Sequence, residues 1–448
     1  MQNLKRLLPV AAVAVALGSS HVFAFEFNGY MRAGVGGNSD GGRQVCFKAP
    51  GASAKYRLGN ECEVYGEYAL SENLYKAEDG AYFKVHGLFA FSVSGYEDYE
   101  KDAPAFREWW IESGNVIGGI FEGARFWAGK RFYRREDVHI NDFYYWGQGG
   151  RTGAGFENMK LGFGQAAVAY FVNSNSSLDS FAVRPVDPQT GEPLTDAAGQ
   201  PVYELVNGGY IQNSTLAVNS IDMRLYQLKV NPGGQLTVGV EPRFFSDSNK
   251  DYNHHNGVLL NLLHFQEGDF LGTYNKGGYN KLALQFGNGV ASTLADYGNM
   301  VANASTRSWR VVEQLVFQPT NSFSGMWALI YEHRNQDTQS NDPINWWFST
   351  GIRPKYYFTD YTDVSLELGY DKVNPRTGGD RNLFKVTLAP EISAGRGFFA
   401  RPALRVFATY AHWNKAAREA GVVLNSDGSI YEGAFNGWTW GVQAESWW

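Results

Sequence analysis

Asn436-Gly437-Trp438-Thr439-Trp440-Gly441-Val442-Gln443-Ala444-Glu445-Ser446-Trp447-Trp448 closes the chain. One parity carries Trp438, Trp440, Val442, Ala444 and Trp448; the other carries Thr439, Gly441, Gln443, Glu445 and Trp447. Side chains alternate across a β-strand, so this segment is a strand with one apolar and one polar face. Trp447 is the exception, a large aromatic on the polar side.

Other segments upstream alternate in the same way. Phe25, Phe27 and Met31 oppose Glu26, Asn28, Tyr30 and Arg32. Val64, Tyr68 and Leu70 oppose Glu63, Tyr65 and Glu67. Val364, Leu366, Leu368 and Tyr370 oppose Asp363, Ser365, Glu367 and Asp371, and Phe384, Val386, Leu388 and Ile392 oppose Lys385, Thr387 and Glu391. Such strands turn one side to lipid and the other to water. Asn231-Pro232-Gly233-Gly234 is a tight turn, whereas residues 183–219, with Pro185, Pro188, Pro193 and Pro201, read as a long external loop. Residues 414–436 read as another. Short turns on one side and long loops on the other, around an aromatic final residue, describe a bacterial outer-membrane β-barrel. At about 10 residues per strand plus connections, the chain has room for roughly 16–18 strands.

Composition agrees. Mean hydropathy is −0.34, as in a water-soluble protein, yet aromatics make up 15% of the chain and glycine 52 of 448 residues. A wet lumen and aromatic girdles account for both; a secreted all-β enzyme has a similar composition, and the terminal strand favours the barrel. Lys5 and Arg6, the apolar Leu7–Leu17 stretch and Val22-Phe23-Ala24 form a signal-peptide pattern. Residues 1–24 are therefore expected to be removed, leaving one domain, 25–448. That cut takes two positive charges and no acid, moving the formal charge from −6 to −8. No later run of about 18 apolar residues reads as a membrane helix. No basic stripe suggests nucleic acid. Cys46 and Cys62, in an exported chain, are expected to form one disulfide, worth roughly 3 kcal/mol in the chain-entropy model.

Four strands carry a ring on the polar parity: Tyr30, Tyr65, Trp347 and Trp447. Each has charged or polar neighbours on its own face. Rings beside donors and acceptors suit a sugar, whose C–H face stacks on an aromatic while its hydroxyls need hydrogen bonds. The same rings also suit packing beneath loops folded into the barrel. Parity leaves both readings open.

Several stretches resemble the maltoporins. They include Tyr56-Arg57-Leu58-Gly59-Asn60-Glu61-Cys62-Glu63, Asp102-Ala103-Pro104-Ala105-Phe106-Arg107-Glu108, Gly129-Lys130-Arg131-Phe132-Tyr133-Arg134-Arg135-Glu136-Asp137-Val138-His139-Ile140-Asn141-Asp142-Phe143-Tyr144-Tyr145-Trp146, Gly351-Ile352-Arg353-Pro354 and Arg401-Pro402-Ala403-Leu404-Arg405-Val406-Phe407. The resemblance implies an eighteen-stranded homotrimeric porin of the outer membrane with a third loop folded into the pore. It needs no cofactor. It places Tyr30, Tyr65, Trp347 and Trp447 on an aromatic slide for oligosaccharides, with Tyr99 at the position lent to the neighbouring subunit. It places Arg32, Arg57, Glu67, Arg107, Arg135, Asp137, Asp142 and Tyr144 on polar tracks and at the constriction.

This sequence departs from that pattern. Tyr99 stands where Trp is usual, Leu260 falls near a slide position that is usually Phe, and Gly147 replaces an acid. The 183–219 loop is longer than usual and the 414–436 loop shorter. These changes bear on which sugar is carried. Asp137, His139 and Asp142 also read as a metal or acid–base set, but Arg131, Arg134 and Arg135 crowd them, which favours salt bridges bracing the loop. No Gly-x-Ser-x-Gly motif supports a lipase. A general diffusion porin is the main rival, and a receptor role for the external loops is compatible with transport.

Overall fold

A computed structural model describes residues 25–173, 180–183, 204–207, 217–246, 255–268, 277–295, 302–335, 343–424 and 428–448. The proposed signal peptide, residues 1–24, and most of the 183–219 loop lie outside the described residues. Eighteen antiparallel strands form one sheet closed on itself. In chain order they are β1 (Glu26–Asn38), β2 (Val64–Lys76), β3 (Tyr82–Val93), β4 (Ala105–Gly114), β5 (Arg125–Val138), β6 (Phe143–Lys160), β7 (Gln165–Asn173), β8 (Ala217–Asn231) and β9 (Gly234–Ser246). Then follow β10 (Gly257–Glu267), β11 (Tyr279–Asn288), β12 (Arg307–Thr320), β13 (Phe323–Asn335), β14 (Ile344–Tyr357), β15 (Thr362–Pro375), β16 (Arg381–Ser393), β17 (Ala403–Trp413) and β18 (Asn436–Trp447). Each pairs with its neighbours, and β1 pairs with both β2 and β18, which closes the ring. Closure leaves no sheet edge to be satisfied in lipid. Among the described residues no helix is long and apolar enough to cross a membrane.

Burial is inverted relative to a soluble protein. On β18 Trp438, Trp440 and Val442 are 47–49% exposed, whereas Thr439, Gln443 and Glu445 are at most 4% exposed. The apolar parity faces lipid, and the polar parity faces a lumen whose groups satisfy one another. On β15 likewise, Asp363, Ser365, Glu367 and Asp371 are buried. The Asn231–Gly234 turn joins β8 to β9 as the sequence predicts.

Two loops fill much of the lumen. Residues 39–63, after β1, fold inward and are stapled by the Cys46–Cys62 disulfide. The Tyr56 ring sits in a notch cut by Gly351 and Gly369, register partners on β14 and β15; a Cβ at either would lie within 2.3 Å of that ring. The Tyr56 hydroxyl accepts a hydrogen bond from Ser349 Oγ at 3.1 Å. The β5–β6 hairpin is the second filler. Its tip, a 3-10 turn at His139–Asn141, crosses the lumen and joins the first loop through Arg57 N donating to Ile140 O, 3.0 Å. Wall residues hold its backbone: Gln285 on Tyr145 O (2.8 Å), Gln314 on Asp137 O (3.0 Å) and Arg224 on Arg134 O (2.8 Å). Val45, Phe47, Val138, Ile140, Phe143 and Trp347 share one apolar cluster inside the barrel.

The 414–436 connection is more than an external loop. Asn414 caps a short helix, Lys415–Glu419, by accepting from Ala417 N at 3.0 Å. Val423–Leu424 then pairs with Cys46–Phe47 of the first loop. Buried Ala417 and Val422 draw this segment onto the lumen cluster.

Candidate functional site

The seam where the chain closes brings rings and charges together. On one rung Trp447, Tyr30 and Glu67 are cross-strand partners; on the next, Glu445, Arg32 and Tyr65. All six are on the lumen parity of β18, β1 and β2, so aromatic and ionic side chains alternate over one patch of wall. The Tyr30 and Tyr65 rings lie 6.0 Å apart, and the Arg32 guanidinium lies 4.8 Å from the Tyr65 ring centroid. Tyr30 donates its hydroxyl to Glu445 at 3.1 Å and accepts from Arg57 at 2.5 Å; Tyr65 donates to Glu67 at 2.5 Å. Tyr30, Tyr65 and Trp447 are each half-buried.

Arg32 pairs with Glu61 at 3.2 Å and with Glu63. Arg57 pairs with Glu61 at 2.8 Å and Glu445 at 3.1 Å, and is itself buried. Its charge is spent on the first loop and the wall, so Arg57 holds the patch rather than lining it. Asp142, at the hairpin tip in a left-handed conformation (φ 53°), reaches Arg32 at 3.8 Å and Arg57 at 4.0 Å.

A second group stands on β4 to β6. The Phe132 ring has the Arg135 guanidinium 3.6 Å from its centroid and that of Arg107 at 5.1 Å. Arg135 also lies 4.3 Å from the ring of Tyr144, which is 49% exposed. Among the described residues neither Arg107 nor Arg135 makes an ion pair, so both keep donors for a solute. Phe132 was not legible as part of this group, because a bulge between Arg131 and Phe132 breaks the parity rule there.

Three expectations need correction. Trp347 does face the lumen, but it is wholly buried: Phe143 of the inward hairpin packs edge-on at 5.4 Å, and its indole N–H donates to Asp371 at 3.0 Å. For this ring, packing under a loop is what the structure has. Leu260 points to lipid, 42% exposed among Val240 and Phe286. The arginines beside Asp137 do brace the hairpin, but through other acids: Arg131 and Arg134 pair with Glu157 at 2.9 and 3.2 Å. Among the described residues no group of three His, Cys, Asp or Glu side chains is arranged to hold a metal. Burial, with Arg57 adding to it, holds His139 well below the usual histidine range, so its ring is neutral. It packs edge-on to Trp447 at 5.7 Å and Phe399 at 5.3 Å.

Gly147 explains its own departure. Its φ is +107°, and a Cβ would lie 2.6 Å from Arg134 O and Arg135 Cα. No acid fits there. Tyr99 is 79% exposed in the 94–104 connection, with Lys101 Nζ 5.6 Å from its ring.

The family model described as LamB porin matches residues 25–448. Similar solved structures include OccAB1 of Acinetobacter baumannii, at 10% identity over 95% of this chain and 96% of that one, TM-score 0.48. A BenF-like porin from Pseudomonas fluorescens Pf-5 matches at 10% identity over 95% and 99%, TM-score 0.48. The loop L8 deletion mutant of OmpT, an outer membrane protein of Vibrio cholerae, matches at 11% identity over 96% and 100%, TM-score 0.41.

Proposed function

The chain belongs to the LamB porin family and is an outer-membrane barrel for solute diffusion; on that premise we propose that the solute is a sugar, an oligosaccharide or a related glycoside, moved by facilitated diffusion. One observation carries the reading: rings and charges alternate over the two rungs Trp447–Tyr30–Glu67 and Glu445–Arg32–Tyr65. The half-open rings offer faces to the C–H side of a pyranose, and Glu67, which accepts the Tyr65 hydroxyl, offers a carboxylate to its hydroxyls, with Arg32 held beside it by Glu61 and Glu63. Binding at each station is weak, so the sugar can enter and still leave.

Arg107, Arg135, Asp137, Asp142 and Tyr144 form the constriction in this reading. Tyr99, which is mostly exposed, is offered to a neighbouring subunit of a homotrimer. Residues 1–24 direct export. The covered Trp347 and the outward Leu260 favour one rival, a general diffusion pore with a short ring row. Current recordings from single channels separate the two. Maltotriose, sucrose and aryl-β-glucosides are added in turn, and a sugar-selective pore is blocked by at least one of them. A pore whose current none of them interrupts is a general diffusion channel.

A further inference from the structure

The outer wall of β9 to β11 carries a groove lined by Val238, Val240, Leu260, Leu262, Leu284 and Phe286. Leu260, Leu262, Leu284 and Phe286 are 38–43% exposed, so the groove opens to the membrane. Its side chains form two rungs, Val240–Leu260–Phe286 and Val238–Leu262–Leu284. The next rung is Leu236–His264–Leu282–Glu313, and Asn280 stands one step further along β11. His264 Nε2 donates to Asn231 of the short β8–β9 turn at 3.1 Å. Short turns mark the periplasmic side, so the polar end of the groove is at the periplasmic leaflet.

Glu313 breaks the pattern of this face. It shares the parity of Val311 and the 41% exposed Trp309, so it points outward. It is half-buried and accepts a hydrogen bond from the Asn280 amide. Among the described residues no cation pairs with it. Acids on the lumen side of the same strands are paired: Glu332 with Arg310 at 2.7 Å and Glu136 with Lys281 at 2.7 Å. A carboxylate turned toward lipid without a counter-charge is costly. The membrane is the remaining source of that charge. We propose that the groove and Glu313 form a binding site for a periplasmic-leaflet phospholipid with a primary-amine head group. An acyl chain lies in the groove, and the ammonium donates to the Glu313 carboxylate, which Asn280 holds in place. A choline head group carries the charge but has no N–H to donate, and a glycerol head group carries no positive charge. The site is on the far side of the wall from the lumen patch, so it is independent of which solute is carried.

Head-group preference separates a built site from an ordinary lipid coat. Native mass spectrometry of the purified channel is run with phosphatidylethanolamine, phosphatidylcholine and phosphatidylglycerol of identical acyl chains. The wild type should retain the ethanolamine lipid about fivefold to tenfold more tightly than either of the others. E313Q keeps the shape and the Asn280 contact but loses the charge, and should lower the ethanolamine lipid to the choline level. L284W fills the groove and should weaken all three lipids together. Both variants should keep wild-type single-channel conductance, because neither side chain faces the lumen. Equal retention of the three lipids by the wild type, or a preference for the glycerol lipid, overturns the site. That comparison needs no variant, so it stands where E313Q fails to fold. An E313Q channel that keeps the ethanolamine preference removes Glu313 from the site, and an L284W channel that loses no lipid removes the groove; either result overturns the proposal.

Discussion

Trp347 and Trp447 obey the same sequence rule and end up in different worlds. Both sit on the polar parity of a barrel strand, and both side chains point inward. Trp447 keeps one side toward the lumen, with Arg401 on the other. Trp347 is sealed by Phe143 from the inward hairpin, within the cluster that also takes in the first loop. Parity decides which side of the wall a ring occupies. Whether solute reaches it depends on what the loops bring over it. The two rings therefore invite opposite experiments.

The largest effect is expected at the sealed ring. Trp347→Ala opens a cavity beneath two loops and removes a hydrogen bond to Asp371, at about 3–5 kcal/mol of stability. It should lower the denaturant midpoint of the barrel while channels that do fold keep wild-type sugar block. Weakened block at unchanged stability would show that solute reaches this ring and would erase the contrast. Next comes the cover itself. Replacing Cys46 and Cys62 with serine releases the first loop, for roughly 3 kcal/mol in the chain-entropy model. Urea midpoints with and without reductant test this: wild type should fall to the mutant value on reduction, and the mutant should ignore the reductant.

At the open ring, Trp447→Ala should spare folding and weaken sugar block by about 5–30-fold, the equivalent of roughly 1–2 kcal/mol. Block identical to wild type would remove Trp447 from the solute path. The smallest change is expected from Arg135→Ala with Asp137→Ala. Opposite charges at a narrow point hold hydroxyls and raise the barrier to ions. The double mutant should pass somewhat more ion current and discriminate less among sugars. A folded channel with wild-type conductance and wild-type block would defeat the constriction role of the pair.

Much of the barrel was written in plain view. Lipid on one side and water on the other force a period of two, and β15 and β18 follow it along most of their length. The disulfide followed from two cysteines in an exported chain. The adjacency of Tyr30 and Trp447 followed from closure, which makes first and last strands neighbours. Coverage was not legible, because it is decided by contacts far apart in sequence. Nothing local in Tyr56 announces a notch made by Gly351 and Gly369, and that docking helps bring the first loop across the lumen. The arginine pairings failed for a related reason. Bulges at 131–137 turn consecutive side chains in unplanned directions, with Arg134 at φ 44°, so sequence neighbours of Asp137 reach Glu157 instead.

The seam has one further consequence, for assembly. Tyr30 and Trp447 belong to strands at opposite ends of the chain, and Gly29 and Trp448 exchange backbone hydrogen bonds at 3.1 and 3.2 Å beside them. The proposed binding patch therefore does not exist in any partly folded barrel. A sheet of all eighteen strands with the seam still open has Tyr30 on one free edge and Trp447 on the other. Pairings between residues so distant in sequence form slowly. Ligand retention by newly inserted chains would thus act as a clock for the final stitch, separate from the earlier gain of strand structure.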